Sequence, residues 1–174
     1  MILMVPYRIQ DNKGYAPIMA LVPIDATVLD LACGCGNPFK GIKPKLLVGV
    51  DVFRKNFPMP EYDVVLNYDV RKITDLFYEK SFDVVTAFDA IEHFTREEGA
   101  KLIEDAERLA RNKVVFFTPI KWTENKEAVE NPKYWSYGNS FNYHKSLWSG
   151  KDFYDRGYRI VPFQGYALAE KVLK

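Results

Sequence analysis

Residues 28–38 read VLDLACGCGNP: an apolar run with Asp30 near its end passes directly into two glycines, Gly34 and Gly36, with Cys35 between them. A glycine pair at the end of a strand lets the backbone turn sharply and lie close to a ligand. In an open α/β sheet that ligand sits beyond the carboxyl ends of the strands. A second strand, LLVGVD (46–51), follows about ten residues later and ends in Asp51. A carboxylate in that position can accept both hydroxyls of a ribose. The pairing of a glycine turn with an acid at the end of the next strand points to a nucleotide site more strongly than the glycines alone.

Working outward, short apolar runs rich in β-branched and aromatic residues recur as YDVVLN (62–67), SFDVVTAFD (81–89) and KVVFFTP (113–119). Apolar on both faces, they read as buried parallel strands. TREEGAKLIEDAERLAR (95–111) has Thr95 as N-cap, acids in its first turn and arginines at its end, and reads as an amphipathic helix. VRKITDLFYEK (70–80) reads as a shorter helix, and GKDFYDRG (150–157) as another with a glycine stop. YRIVPF (158–163) and YALAEKVLK (166–174) are separated only by Gln164 and Gly165, too short a link for a parallel crossover, so they form an antiparallel hairpin. Strands alternating with helices predict right-handed crossovers and a parallel sheet covered on both faces.

Length and composition set outer bounds. The 174 residues fit one domain, 1–174, and 48% are apolar, which predicts a packed core. The 24 Lys and Arg nearly balance the 23 Asp and Glu, so no nucleic-acid partner is expected. No apolar run approaches the ~20 residues of a membrane span. MILMVPYRIQ at the start lacks the basic region and cleavage site of a signal peptide. Cys33 and Cys35, two residues apart, are poorly placed for a disulfide and too few for a zinc site. A reducing, cytoplasmic location and no metal are the expectations. The segment 120–149 mixes Trp122, Tyr134, Trp135, Tyr137, Phe141, Tyr143, His144 and Trp148 with Asn, Lys and Gly and shows no clean period. It reads in part as core packing and in part as a lid or substrate loop.

The ligand's chemistry can be narrowed from charge. A dinucleotide fingerprint needs a third glycine where this chain has Phe39, and Pro38 and the short spacing leave little room for a helix that would bind pyrophosphate. No Lys-Ser/Thr pair follows, so this is not a P-loop. Asp30 beside a pyrophosphate would be repulsive, whereas beside an ammonium and a sulfonium it is attractive. That disfavours NAD and favours S-adenosylmethionine.

VLDLACGCG resembles the first motif of class I S-adenosylmethionine-dependent methyltransferases, LLVGVDV their second-strand acidic motif, NYDVRKI the segment after strand three, and FDVVTAFDAIEHF the fourth-strand motif of the small-molecule enzymes. The resemblance covers roughly residues 26 to 118. It implies a Rossmann-like three-layer sandwich whose mostly parallel seven-stranded sheet ends in the antiparallel hairpin. It further implies cofactor contacts from Asp30, Ala32, Cys33, Gly34 and Gly36, from Asp51 and Val52, from Asp69 and Val70 near the adenine, and from Asp89. The turn after strand four lacks the prolines found in enzymes that methylate nucleobase amino groups, so a small-molecule acceptor is expected. In-line transfer from an activated donor chiefly needs positioning, and a base only where the acceptor starts protonated. His93, Glu92 and His144 are the candidate catalytic residues; Glu92 and His93 could equally orient the loop, His144 could be a surface histidine, and Asp69 could simply cap a helix. Two other readings are a catalytically silent module with the same fold and an NAD-dependent oxidoreductase.

Overall fold

The structure is a computed structural model in which residues 20–53, 59–163 and 165–174 are described. The readings of the first ten residues and of Gln164 lie outside them. Seven strands form one sheet: β1 (Thr27–Leu31), β2 (Leu46–Asp51), β3 (Val64–Asn67), β4 (Phe82–Phe88), β5 (Ala110–Pro119), β6 (Arg159–Phe163) and β7 (Tyr166–Val172), in the order β3-β2-β1-β4-β5-β7-β6. The first five pair in parallel, and β7 runs antiparallel to both β5 and β6. The order reverses at β1, between β2 and β4. This is the switch point at which ligands bind in such sheets.

Alternation along each strand divides the core in two. Leu29, Leu31, Val48, Val50, Val85, Ala87, Val114 and Phe116 point to one face, where α1 (Arg96–Leu109) packs Leu102, Ile103, Ala106 and Leu109 against them. Val28, Leu47, Val84, Phe88, Val115 and Phe117 point to the other, under Val22, Ala26, Phe39 and Tyr62. This is the period of two expected for strands buried on both sides. α1 starts with a reciprocal cap: Thr95 Oγ1 accepts from the Glu98 N–H at 3.2 Å, and Glu98 Oε2 accepts from the Thr95 N–H at 3.0 Å. Two shorter helices, α2 (Lys126–Glu130) and α3 (Gly150–Tyr154), lie in the C-terminal third.

Several boundaries differ from the sequence reading. The helix expected over 70–80 is a pair of 3-10 turns over Val70–Asp75, broken at Lys72 (φ −117°, ψ 20°). Only Val70 and Ile73 of this segment are buried, too few apolar contacts to hold a full helix against the sheet. β3 begins at Val64, not at 62, because Asp63 caps the neighbouring strand, accepting from the Leu47 N–H at 2.9 Å, and Tyr62 turns inward. α1 ends two residues early and β5 begins at Ala110, with no connecting loop. α3 stops at Tyr154, before the left-handed Gly157 (φ +83°). Between β1 and β2 there is only a 3-10 turn, Asn37–Phe39.

Candidate active site

The site grows from one row of the sheet. Asp30 on β1 is in register with Gly49 on β2 and with Thr86 on β4. All three therefore face the same side, and Thr86 Oγ1 donates to Asp30 Oδ1 at 2.7 Å. Gly49 leaves the space that the Tyr62 ring fills; a Cβ there would lie 2.7 Å from two ring carbons. The Tyr62 hydroxyl donates to Asp30 Oδ2 at 2.6 Å. Asp30 is 1% exposed, and burial pushes its pKa up to about 7 against the opposing effect of these two hydroxyls. Tyr62 and Thr86, which hold Asp30 in place from within the fold, are residues that the sequence reading missed. Their signals were a glycine inside an apolar strand, which marks a close approach, and a lone hydroxyl in the run DVVTAF.

Beyond β1 the chain turns through special conformations at three alternate positions. Ala32 (φ +54°), Gly34 (φ +55°) and Gly36 (φ +76°) are all left-handed. Ala32 accepts a conformation disfavoured for a residue with a Cβ, the kind of local strain that collects at binding sites. Asp51 ties this turn to β2: Oδ2 accepts from the Gly34 N–H at 2.9 Å and Oδ1 from the Phe53 N–H at 2.8 Å. Burial raises the Asp51 pKa, while those two backbone donors lower it. A carboxylate offers about four acceptor directions. Two are taken, and two remain for a ligand diol.

Asp30, Ala32, Cys33, Gly34, Asp51, Val52, Asp69, Val70, Asp89 and His93 all line one cavity at the carboxyl ends of β1, β2 and β4. Of the expected cofactor residues, Gly36 is not on that lining; it sits behind it against Met59 and Tyr62. Asp69 plays the capping part as well: it accepts from the Arg71 N–H at 3.0 Å and pairs with the Arg71 guanidinium, whose hydrogen bonds hold its pKa low. The cavity's other wall comes from the C-terminal third. Trp135, Asn139, Phe141, Asn142 and Lys145 close over it, and a Cβ on Gly34 would lie 3.0 Å from the Trp135 ring. Of these, the sequence reading had marked only Trp135 and Phe141, as members of an aromatic stripe. Trp148 of the same stripe is instead core, fully buried against Phe153 with its indole N–H on Ser146 Oγ at 2.8 Å.

A second cavity shares Asp89, His93, Trp135 and Asn142 with the first and continues along Glu92, Lys121, Tyr134, His144 and Tyr166. Asp89 turns the chain out of β4 in a left-handed conformation (φ +47°). The next turn, Ile91–His93, buries Glu92 to 3% exposure, with the Thr118 hydroxyl donating to Oε2 at 2.8 Å. Burial, with the Asp89 charge in second place, pushes the Glu92 pKa up to about 8. Burial first, then His144, holds His93 down to about 4. The two imidazoles stand 4.9 Å apart between centroids. The three sequence candidates for catalysis are thus brought together at the junction of two cavities, although 50 residues of chain separate Glu92–His93 from His144.

The donor set suits S-adenosylmethionine. The cavity has a carboxylate at its Asp30 end for the cationic methionine part, a second at Asp51 with acceptor capacity for ribose hydroxyls, and an apolar wall at Val52, Val70 and Phe94 for a flat base. Residues 29–118, just over half of the chain, match the family model described as a methyltransferase domain. The chain belongs to this family, class I methyltransferases that use S-adenosylmethionine. A search of curated proteins finds no relative by sequence. Among solved structures, magnesium protoporphyrin IX methyltransferase from Synechocystis PCC 6803 with bound S-adenosylmethionine is similar at 15% identity, covering 94% of this chain and 79% of that one, with a TM-score of 0.63. PH0226 protein from Pyrococcus horikoshii OT3 is similar at 19% identity over 93% of this chain and 89% of that one, with a TM-score of 0.64. A methyltransferase from Archaeoglobus fulgidus is similar at 18% identity over 86% and 70% of the two chains, with a TM-score of 0.58. At these identities the likeness shows the fold.

Proposed function

We propose that this methyltransferase acts on a small-molecule acceptor held in the second cavity, in line with the first. The observation that carries this reading is that the two cavities abut at Asp89, His93, Trp135 and Asn142. Bound in the first, the cofactor supplies an activated methyl group; what the chain adds is alignment. Asp51 accepts the ribose hydroxyls, Asp30 faces the cationic end, Asp69 and Val70 border the adenine, and the left-handed turn at Ala32 and Gly34 lets backbone lie along the ligand. Holding an acceptor at attack distance accounts for most of what such a reaction needs.

The segment 120–149 serves as lid and substrate loop within one domain spanning 1–174. Trp135, wedged on Gly34, separates the cavities and keeps water from the junction. The acceptor meets Lys121, Tyr134, His144 and Tyr166, a lining suited to a flat, polar-edged molecule. The near-balance of charge supports a small acceptor over a nucleic acid. Cys33 and Cys35, too close along the chain to bridge each other, support a reducing, cytoplasmic setting, and among the described residues no helix is long and apolar enough to cross a membrane.

The test is calorimetry with S-adenosylmethionine and S-adenosylhomocysteine, followed by mass spectrometry of a panel of phenolic, heteroaromatic and sugar acceptors. Binding at one site per chain and a gain of one methyl mass on a panel member support the reading. Cofactor binding with transfer only to protein or nucleic acid would overturn the small-molecule part.

A further inference from the structure

Among the described residues, one cluster of three His, Cys, Asp or Glu side chains has its ligating atoms all within 4.8 Å of one another: Glu92, His93 and His144. The backbone builds this cluster deliberately. Glu92 O accepts from both the Lys145 N–H (2.8 Å) and the Ser146 N–H (3.2 Å), which staples the loop after Tyr143 to the turn after β4 and sets His144 beside His93. Each side chain is also oriented from outside the cluster. His144 Nδ1 lies 2.7 Å from Thr123 O, so it carries the proton and leaves Nε2 as the bare ring nitrogen. His93 Nδ1 lies 3.4 Å from Tyr143 O, and Thr118 donates to Glu92 Oε2. Imidazoles directed by backbone carbonyls and a carboxylate directed by a hydroxyl are the outer partners that metal-bound ligands carry.

We propose that Glu92, His93 and His144 form a binding site for one divalent transition-metal ion, with Zn2+ as its best-suited occupant, and that the ion's open positions face the acceptor cavity. Two imidazoles and one carboxylate are a donor set that favours first-row transition metals over Mg2+ or Ca2+. Three protein ligands leave the fourth and fifth positions for substrate, the pattern of catalytic rather than structural zinc. Bonds of about 2.1 Å require the three ligating atoms to draw together by roughly 1 Å, which the half-exposed His144 on its loop can supply. The sequence reading expected no metal because it considered only Cys33 and Cys35, and the ligand residues lie in two distant segments.

The inference rests on the methyl-transfer reading and deepens it by naming the acceptor class: a hydroxyl compound. A hydroxyl oxygen on the ion loses its proton to solvent more readily, because the cation stabilises the oxyanion. That oxygen's electron pair forms the new bond to the methyl carbon while the carbon–sulfur bond breaks, its pair returning to the sulfonium sulfur. Asp89, on both cavity linings, adds negative charge beside the cluster.

The experiment uses the full chain stripped with a chelator. Zn2+ is titrated by calorimetry, and Co2+ is followed by its visible absorption. One ion per chain is expected, with affinity falling at least about tenfold in His144→Ala and in Glu92→Gln. A Cys35→Ser variant is expected to keep full affinity. Neither His144 nor Glu92 lines the first cavity, so S-adenosylmethionine binding without metal stays within about twofold in both variants. No one-to-one Zn2+ binding, or equal affinity in wild type and both variants, overturns the site. Binding of S-adenosylmethionine without any Zn2+ binding sinks the metal site alone. Zn2+ binding without S-adenosylmethionine binding sinks the methyl-transfer reading and leaves the metal site standing.

Discussion

The two cavities that meet at His93 are built by different means. The first is anchored on the ends of three neighbouring strands, β1, β2 and β4, fixed by sheet register, with its other wall from the C-terminal third. The second is lined by side chains from the β4 turn, from loops of the C-terminal third and from β7, held together by hydrogen bonds to Glu92 O, Thr123 O and Asn142 O. A register cannot slip without moving every side chain to the other face, so the first site is stiff. The second depends on a few hydrogen bonds between loops, and suits a part of the molecule that must admit and release an acceptor.

The largest expected effect lies on the stiff side. Asp51→Ala strips the Gly34 and Phe53 amides of their acceptor and removes the ribose contact. Leaving buried donors unpaired costs about 1–3 kcal/mol each, so cofactor affinity should drop by about 100-fold or more in calorimetry. An unchanged affinity would erase the contrast. Next is Gly49→Ala. Its Cβ would lie 2.7 Å from the Tyr62 ring and 2.8 Å from Cys33 Sγ, so the ring must leave Asp30. Overpacking of this kind costs about 1–3 kcal/mol, read as a lower midpoint in urea.

On the looser side, Trp135→Ala should join the two cavities, weaken the cofactor by several-fold, and leave stability within about 1 kcal/mol of wild type. A large loss of stability would show that Trp135 is core, and that the loop is no softer than the sheet.

A smaller effect concerns pH. Asp30 is raised to about 7 when folded, against roughly 3.9 in an unfolded chain. Between those values the folded state holds a proton that the unfolded state has lost. Its contribution to stability is therefore full below pH about 4 and lost as pH rises through about 7. A cationic ligand favours the charged form, so affinity for S-adenosylmethionine should rise between pH 6 and 8. Tyr62→Phe removes a hydroxyl that stabilises that charge, and should move the midpoint upward. A flat pH profile would mean that Asp30 does not face the cation. The smallest effect is expected at Lys126→Ala, whose exposed partner Glu130 lies 4.0 Å away; unfolding midpoints should shift by less than about 0.5 kcal/mol in energy.

The strands, α1 and the closing hairpin were legible because their signals are local. Apolar period, a cap at Thr95 and a two-residue link each act within a few positions. The segment 70–80 misled for the same reason: it has a helical pattern, but too little of it reaches the core to sustain a helix. Trp148 and Trp135 stand 13 residues apart in the same aromatic stripe, yet one fills the core under α1 and the other walls a cavity. Nothing in either residue's neighbours along the chain distinguishes them.

From sequence alone came the mixed sheet, the glycine turn, the acids Asp30 and Asp51, and with them the cofactor, since these depend on the order of residues within single strands and turns. Tertiary structure alone decided that Tyr62 and Thr86 hold Asp30, that Trp135 covers Gly34, and that His144 comes to rest against His93. Those are contacts between segments far apart in the chain, set by strand register and by where the backbone finds its hydrogen-bond partners, and no short-range pattern encodes them.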